Sequence, residues 1–560
     1  MFSLRGLQPS VVFVIGLATC LRPAISATQA AGTQQGQTPD AGYRIAGTVV
    51  NAVGGSPLAR ARVSIFETAN PQNTLSGITS EDGRFEFTQL PPGKYSLQGA
   101  KRGFAESAYD QHEQFSTAIV TGAGLDTEHL VLRLPPFAVL SGKVLDEAGE
   151  PVRRAAVALY REDRRTGVGR IQRIRFSLTD DLGSYEFAPL ISGTYFLSVT
   201  ATPWYAVHPA SSLQKSAGDA ASPVDRSLDV AYPMTYYKDA TEPDEASPIP
   251  IRGGDHLEVD LHLNPVPALH LLFHVPDNGA HGFTSPVLQK PSFDGMDDVP
   301  NGGVEMISPG VYAMNGVPAG RYTVRTMGVP GQNEPTSEVE MDISEDGQEL
   351  DASKGEPAST VKASVQLGSE AVPKQFFVAL RNSKMRVVAG QVVDDKGEVE
   401  FRDVAPGKYE VLAQTPGKAH SVVRISTQGG GEVSGNILNV TPGSSPNISL
   451  AILGSAARVE GFVKRKGQAA PGAMVVLVPK NPEANRQLFR RDQSDLDGSF
   501  SLRGVNPGTY TIVAIENGWD LDWSSPGVIA HYCQRGQTVI VGNQGQGPVR
   551  LRDAVELQPR

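Results

Sequence analysis

The sequence predicts an all-β protein, a tandem array of about five β-sandwich domains, and three observations predict it. The 560 residues exceed what one hydrophobic core organises, about 250 to 300 residues. Its 59 glycines and 41 prolines are scattered rather than gathered in tracts, as many short strands joined by turns require. And one pattern occurs five times.

The copies are EDGRFEFTQLPPGKYSL (81–97), DDLGSYEFAPLISGTYFL (180–197), SPGVYAMNGVPAGRYTV (308–324), DDKGEVEFRDVAPGKYEV (394–411) and DLDGSFSLRGVNPGTYTI (495–512). In each, a first glycine (Gly83, Gly183, Gly310, Gly397, Gly498) lies ten residues before a second (Gly93, Gly193, Gly320, Gly407, Gly508). Two residues later comes Tyr95, Tyr195, Tyr322, Tyr409 or Tyr510. Apolar residues two, four and seven places after the first glycine recur as well: Phe85, Phe87 and Leu90 in the first copy, Phe500, Leu502 and Val505 in the last. Positions two and four share one face of a strand, so each copy reads as turn, strand, tight connection and strand. The first glycine suits a turn residue with positive φ. Pro92, Pro406 and Pro507 stand before the second glycine, which predicts a fixed φ followed by a left-handed residue. The tyrosine ring should fill the core while its hydroxyl reaches a backbone group at the rim, as in a tyrosine corner.

Gly93-Lys94 invites a phosphate-cradle reading. The residue after the second glycine is Lys94, Thr194, Arg321, Lys408 or Thr509, so the pattern requires no cation there, and no GxxxxGK[ST] motif occurs in the chain. Lys94 is read as part of the frame.

Second recurrent stretches precede the clearest copies: YRIAGTVVNAVGGSPLARARVSIFE (43–67), AVLSGKVLDEAGEPVRRAAVALYRE (138–162) and ARVEGFVKRKGQAAPGAMVVLVPK (457–480). Second glycines are 100, 127, 87 and 101 residues apart, the size of one sandwich and its linker. Domains are expected at 43–134, 137–263, 267–350, 358–451 and 456–554, joined by short proline-bearing connectors such as LPP (134–136) that favour a semi-rigid array. Arg5 followed by VVFVIGLATC and small residues predicts a secretory signal over 1–26, with a disordered leader over 27–42. Leu17 to Cys20 approximates a lipoprotein box, but Thr19 stands where such boxes take a smaller residue; cleavage is expected rather than a lipid anchor at Cys20. No later stretch is long and apolar enough to span a bilayer, so the mature chain is expected to be secreted, periplasmic or at the cell surface. Cys533 is then its only cysteine, leaving each core without a disulfide. The formal charge of -10 is spread along the chain and argues against a nucleic-acid partner.

The GxV strand followed by DxxGxFxFxxLxPGxYxL resembles the carboxypeptidase regulatory-like domains of bacterial envelope proteins. These are transthyretin-like (immunoglobulin/transthyretin-like) sandwiches related to collagen-adhesin B-type repeats and to starch-binding-like folds. The resemblance is strongest in the first, second and fifth units and covers nearly all of 43–554. It implies fold rather than activity, because such modules scaffold other functions. It also implies that the sandwiches of adhesin relatives can carry Lys–Asn crosslinks. Lys143 and Lys464 lie near first strands, but the copies share no catalytic acid or final-strand Asn, and no crosslink is expected.

None of the ten histidines is followed three residues later by Glu, and HExxH, GxSxG and CxxC are absent, so no peptidase chemistry is expected. His256, His262, His270, His274 and His281 fall within 26 residues. In HLEVDLHL, however, His256, Glu258, Asp260 and His262 alternate with apolar residues, and the outer pair stand about 20 Å apart along a strand. A solvent face is expected, with no metal and no cofactor. REDRRTGVGRIQRIR (161–175) reads as an exposed basic hairpin. Aromatics outside the repeat remain: Trp204, Tyr205, Tyr232, Tyr236 and Tyr237 in the second domain, and Trp519 and Trp523 beside Asp520 and Asp522 in GWDLDWSSP. Aromatic platforms beside carboxylates stack on sugar rings, but loops that fold back and pack their aromatics on the sandwich are the expected arrangement. The expectation is a non-enzymatic, exported scaffold, spacer or adhesion module with a protein or polysaccharide partner at the envelope. The alternative is a carbohydrate-binding protein using Trp204, Tyr205, Tyr236, Tyr237, Trp519, Asp520 and Trp523.

Overall fold

The computed structural model describes residues 42–560 apart from 123, 166, 168, 209–224, 276–284, 328–337, 352–358, 368–371, 383–386, 416–417, 429–431, 435, 454–456, 484 and 543–547. The expected signal, all of the leader but Gly42, Cys20 and His281 lie outside the described residues. In the first sandwich the strands are β1 (Tyr43–Asn51), β2 (Arg62–Glu67), β3 (Asn70–Ile78), β4 (Arg84–Leu90), β5 (Lys94–Ala100), β6 (Ser107–Ala108), β7 (Ile119–Val120) and β8 (Leu130–Leu134). One sheet runs β4-β1-β8, with β1 antiparallel to β4 and parallel to β8; the other runs β3-β2-β5, with β6 and β7 both paired to β5. Phe85, Phe87, Leu90, Tyr95 and Leu97 of the repeat close onto Ile45, Val49 and Val63 between the sheets.

The same register recurs. Gly47 of β1 faces Phe85, Gly142 faces Tyr185, and Gly461 faces Phe500. At Gly47 and Gly142 the glycine is required because the last strand presses its backbone onto the first, and at Gly461 because the Phe500 and Leu551 side chains fill the space. A Cβ on Gly47 would lie 2.1 Å from the Leu130 carbonyl oxygen, and one on Gly142 would lie 1.8 Å from that of Val259. Five separate hydrophobic cores form, drawn from residues 45–134, 138–263, 269–350, 361–452 and 459–555.

All five repeat tyrosines donate their hydroxyl to the carbonyl four residues back: Tyr95 to Pro91 at 3.0 Å, Tyr195 to Ile191 at 2.6 Å, Tyr322 to Pro318 at 2.7 Å, Tyr409 to Ala405 at 2.6 Å and Tyr510 to Asn506 at 2.8 Å. That bond pins the tight connection while the ring stays in the core. The first glycines take φ between +69° and +80°, where a Cβ is strained. The second glycines do not adopt the expected left-handed turn. Gly320, Gly407 and Gly508 have φ of +152° to +158°, well away from αL, and the tyrosine two residues on lies over each. A Cβ there would meet the ring only at 3.3–3.7 Å, close to ordinary contact, so the positive φ rather than the ring accounts for the glycine at these three positions.

The fifth sandwich departs from the others. A helix, α1 (Pro526–Cys533), follows the aromatic loop and covers the outer face of its sheet. Ser525 precedes it and Pro526 occupies its first turn, where a missing N–H costs nothing. Beneath lies a sixth core of Met474, Val476, Val478, Val513, Ile515, Trp523 and Ile529, among others. The strand Met474–Pro479 is therefore buried on both faces, whereas β2, its counterpart, alternates. Among the described residues no helix is long and apolar enough to cross a membrane.

Candidate functional site

In the loop Gly518 to Ser525, open in the sequence to a solvent-facing sugar platform or to aromatics packed back on the sandwich, the structure turns the tryptophans inward. Trp523 is 6% exposed, within the sixth core. Trp519 stacks on His112 of the first sandwich, with ring centroids 4.7 Å apart and planes 9° from parallel, and Phe115 closes on it at 6.1 Å. Between these rings lies the Arg491 guanidinium, 4.7 Å from the Trp523 centroid, 5.3 Å from Trp519 and 5.0 Å from Phe115. Its Nη2 donates to Glu113 at 2.7 Å, while Nε and Nη1 have no acceptor and face the rings, so cation–π attraction holds the side chain. Asp520 pairs with Arg560 at 2.7 Å. A sugar platform built on Trp519 and Trp523 is thereby corrected to a joint between two sandwiches.

Polar contacts extend that joint. Gln493 Nε2 donates to the Asp110 carbonyl at 2.6 Å and to Thr117 Oγ1 at 2.9 Å. The Leu496 N–H bonds the Ala118 carbonyl at 3.0 Å, and Leu496 packs on the first core. Asp495 accepts from the Ala118 N–H at 3.1 Å and from Lys94 Nζ at 2.7 Å. Burial pushes the Asp495 carboxyl above its usual range, and Lys94 opposes the rise. Lys94 is thus not merely frame: the residue that the repeat leaves free ties the first sandwich to the fifth.

The basic hairpin 161–175 is likewise partnered. Arg164 donates to the Asp520 carbonyl and to Asp522 Oδ1, each at 3.0 Å, joining the second sandwich to the same loop. Arg165 pairs with Asp163, and Arg173 with Asp297 of the third sandwich. Tyr160 also donates to Asp297. Beside them Phe293 inserts among Tyr160, Phe196 and Tyr236, at 5.0, 5.0 and 5.4 Å between centroids. Tyr236 is fully buried there and offers no face to a ligand. Tyr237 packs on the second core with Lys238 over its ring.

Trp204 remains in the open. It is 86% exposed and meets Tyr205 edge-on at 5.8 Å. Tyr205 and Tyr232 both donate to Glu147, the latter at 2.8 Å. Burial alone would raise the Glu147 carboxyl, but these two bonds hold it below its usual value; burial and Glu147 together push Tyr205 up to about 12. The result is one exposed indole beside a braced phenol and a carboxylate.

His256, Glu258, Asp260 and His262 stand exposed on one face as expected, with Val259, Leu261 and Leu263 buried beneath. His270 leaves that pattern, because its ring turns toward Asp229 and Asp346 at the junction of the second and third sandwiches. His208, which no motif or spacing in the sequence singles out, joins it there. Lys143 and Lys464 are exposed.

These features define a class of multi-domain all-β protein in which repeated sandwiches are fastened together by residues outside the repeat. A family model described as Carboxypeptidase regulatory-like domain matches residues 44–126, and the first sandwich is similar to those domains. Among solved structures, the chain is similar to the Bacillus anthracis TIE protein at 12% identity, over 75% of this chain and 76% of that one, with a TM-score of 0.18. GBS52, the minor pilin of Streptococcus agalactiae, is 14% identical over 40% of this chain and 97% of that one, with a TM-score of 0.21. BcpA, the major pilin subunit of Bacillus cereus, is 10% identical over 74% of this chain and 99% of that one, with a TM-score of 0.16. No curated protein matches the chain.

Proposed function

We propose that this chain is a non-enzymatic, exported scaffold. Its five sandwiches, at 43–134, 137–263, 267–350, 358–451 and 456–554, act as one spacer or adhesion body that holds a protein or polysaccharide partner at the cell envelope. One observation carries the reading: Lys94, Arg491, Trp519 and Phe293, which the repeat does not specify, are used to fasten sandwich to sandwich. A molecule that fixes the spacing between its own modules is built to position what attaches to it. Fractionation of cells producing the full chain with a C-terminal tag tests export. The expected product is a shortened chain in the periplasmic, surface or medium fraction, accessible to added protease; a full-length cytoplasmic chain would sink the proposal.

Exposure of Trp204 favours a second reading, carbohydrate binding at Trp204, Tyr205 and Glu147. Titration with soluble polysaccharides should quench or shift tryptophan emission in the parent chain, and Trp204→Ala should abolish the response. A response retained in Trp204→Ala removes sugar binding from this surface. Stability should stay within about 0.5 kcal/mol, as for exposed substitutions.

A further inference from the structure

We infer that His208, Asp229 and His270 form a binding site for a divalent transition metal ion of the zinc type, set between the second and third sandwiches. His208 lies beyond the strand Gly193–Thr200 and Asp229 immediately precedes the strand Val230–Ala231, both in the second sandwich. His270 lies on Leu269–His274, the first core strand of the third. One ligand atom from each lies within 4.8 Å of the others. His208 Nδ1 is 2.9 Å from Asp229 Oδ1, and His270 Nε2 is 3.4 Å from the same oxygen. Tetrahedral ligands about 2.0–2.1 Å from zinc stand about 3.4 Å from one another, so small side-chain adjustments suffice to admit the ion.

Three further observations point to a cation. His270 Nδ1 lies 2.8 Å from Asp346 Oδ1, which also accepts the His270 backbone N–H at 2.9 Å. This carboxylate–imidazole arrangement orients a metal-bound histidine and assigns its proton to Nδ1. Nε2 is then a lone pair facing a carboxylate oxygen; it is buried and has no hydrogen-bond partner. Two electron-rich atoms so placed repel unless a positive centre lies between them, and a metal ion supplies one. The His208 ring, in turn, is seated by glycine. A Cβ on Gly302 would lie 2.3 Å from its Cδ2, and one on Gly316 would lie 2.6 Å from its Nε2. The side chains of His208, Asp229 and His270 are 11%, 17% and 17% exposed, which leaves access for a water molecule as fourth ligand.

The bland account is a hydrogen-bonded clasp that needs no ion, and one experiment separates the two. The full chain is stripped with chelator, and Zn²⁺ is titrated against a chromophoric competitor. One tight equivalent per chain is expected, with a raised Tm on loading and a tetrahedral Co²⁺ absorption spectrum. Asp229→Asn and His270→Gln should lose that equivalent, and Asp346→Asn, which leaves the three donor atoms in place, should weaken it about 10- to 100-fold. His256→Ala and His262→Ala, both on the exposed face, should leave it unchanged. Circular dichroism of each stripped variant keeps loss of folding distinguishable from loss of ligands. Absence of a tight equivalent in the parent chain overturns the proposal. So does one that survives in both Asp229→Asn and His270→Gln.

Discussion

In the fourth sandwich Asp394 accepts the N–H groups of Lys396 and Glu398, at 2.9 and 2.7 Å, and closes its own turn. In the fifth, Asp495 holds the same place in the repeat but accepts from Ala118 and Lys94 of the first sandwich. Asp497 has taken over the local turn, receiving the Ser499 N–H at 3.0 Å. With Asp497 in place of Lys396 and Ser499 in place of Glu398, the Asp495 carboxylate is available for contacts between modules. The two copies share a backbone and differ in what their free positions touch. Identical folding rules can yield either a solvated turn or a joint, and the positions that the repeat leaves free decide which.

The largest test of that contrast is Trp523→Ala. It empties part of the second core of the fifth sandwich, and should cost about 3–5 kcal/mol in urea unfolding followed by circular dichroism. A cost below about 1 kcal/mol would mean that α1 merely rests on the sheet.

Next comes a pH effect. Burial pushes Asp492 up to about 6, against bonds from Ser501 and Gln493 that favour its charge. The unfolded chain loses this proton near pH 4 and the folded chain near 6, so between those values the folded state binds more protons. Stability should therefore fall as pH rises from about 4 to about 6 and then level, at about 1.4 kcal/mol per unit of separation. Asp492→Asn should flatten this slope. The fourth sandwich has Gln391 at the matching place and should contribute none. An unchanged slope in Asp492→Asn refutes the assignment.

The smallest effect separates two lysines. Lys94→Ala should cost about 1 kcal/mol, because its partner Asp495 is only 17% exposed, while Lys408→Ala in the exposed equivalent position should stay within about 0.5 kcal/mol. In a double-mutant cycle, the Lys94 effect should vanish in an Asp495→Asn background. Equal effects of both lysines would return Lys94 to the frame.

The repeat was legible in the sequence because strand period and turn chemistry are local: two glycines, a tyrosine and three apolar positions recur at fixed offsets, and each proved to have a backbone or core reason. The joints were not, since a lysine, a tryptophan or an arginine hairpin reads the same whether water or another module covers it. One local signal was available. MVVLVP is apolar without alternation, unlike RVSIFE, and a strand buried on both faces requires a cover such as Trp523 and α1. The His208–Asp229–His270 group was hidden for a different reason. Its donors lie 21 and 41 residues apart on separate elements, and only His270 belongs to the histidine-dense stretch, in which His256 and His262 stand on a solvent face instead. The second glycine misled because proline before glycine suggests an αL turn, whereas Gly320, Gly407 and Gly508 take a more extended positive φ that also disfavours a Cβ.

Contact between the first and fifth sandwiches also fixes how the molecule would carry load. A pull applied across residues 43 and 560 can follow the covalent path through the second, third and fourth sandwiches, a branch from the second sandwich through Arg164–Asp522, or the shortcut through Lys94–Asp495, Glu113–Arg491 and the His112–Trp519 stack. The shortcut is the shorter path between the two ends and takes the tension first. Until it yields, the inner modules are slack, and when it yields they lengthen as a reserve before any sandwich must unravel.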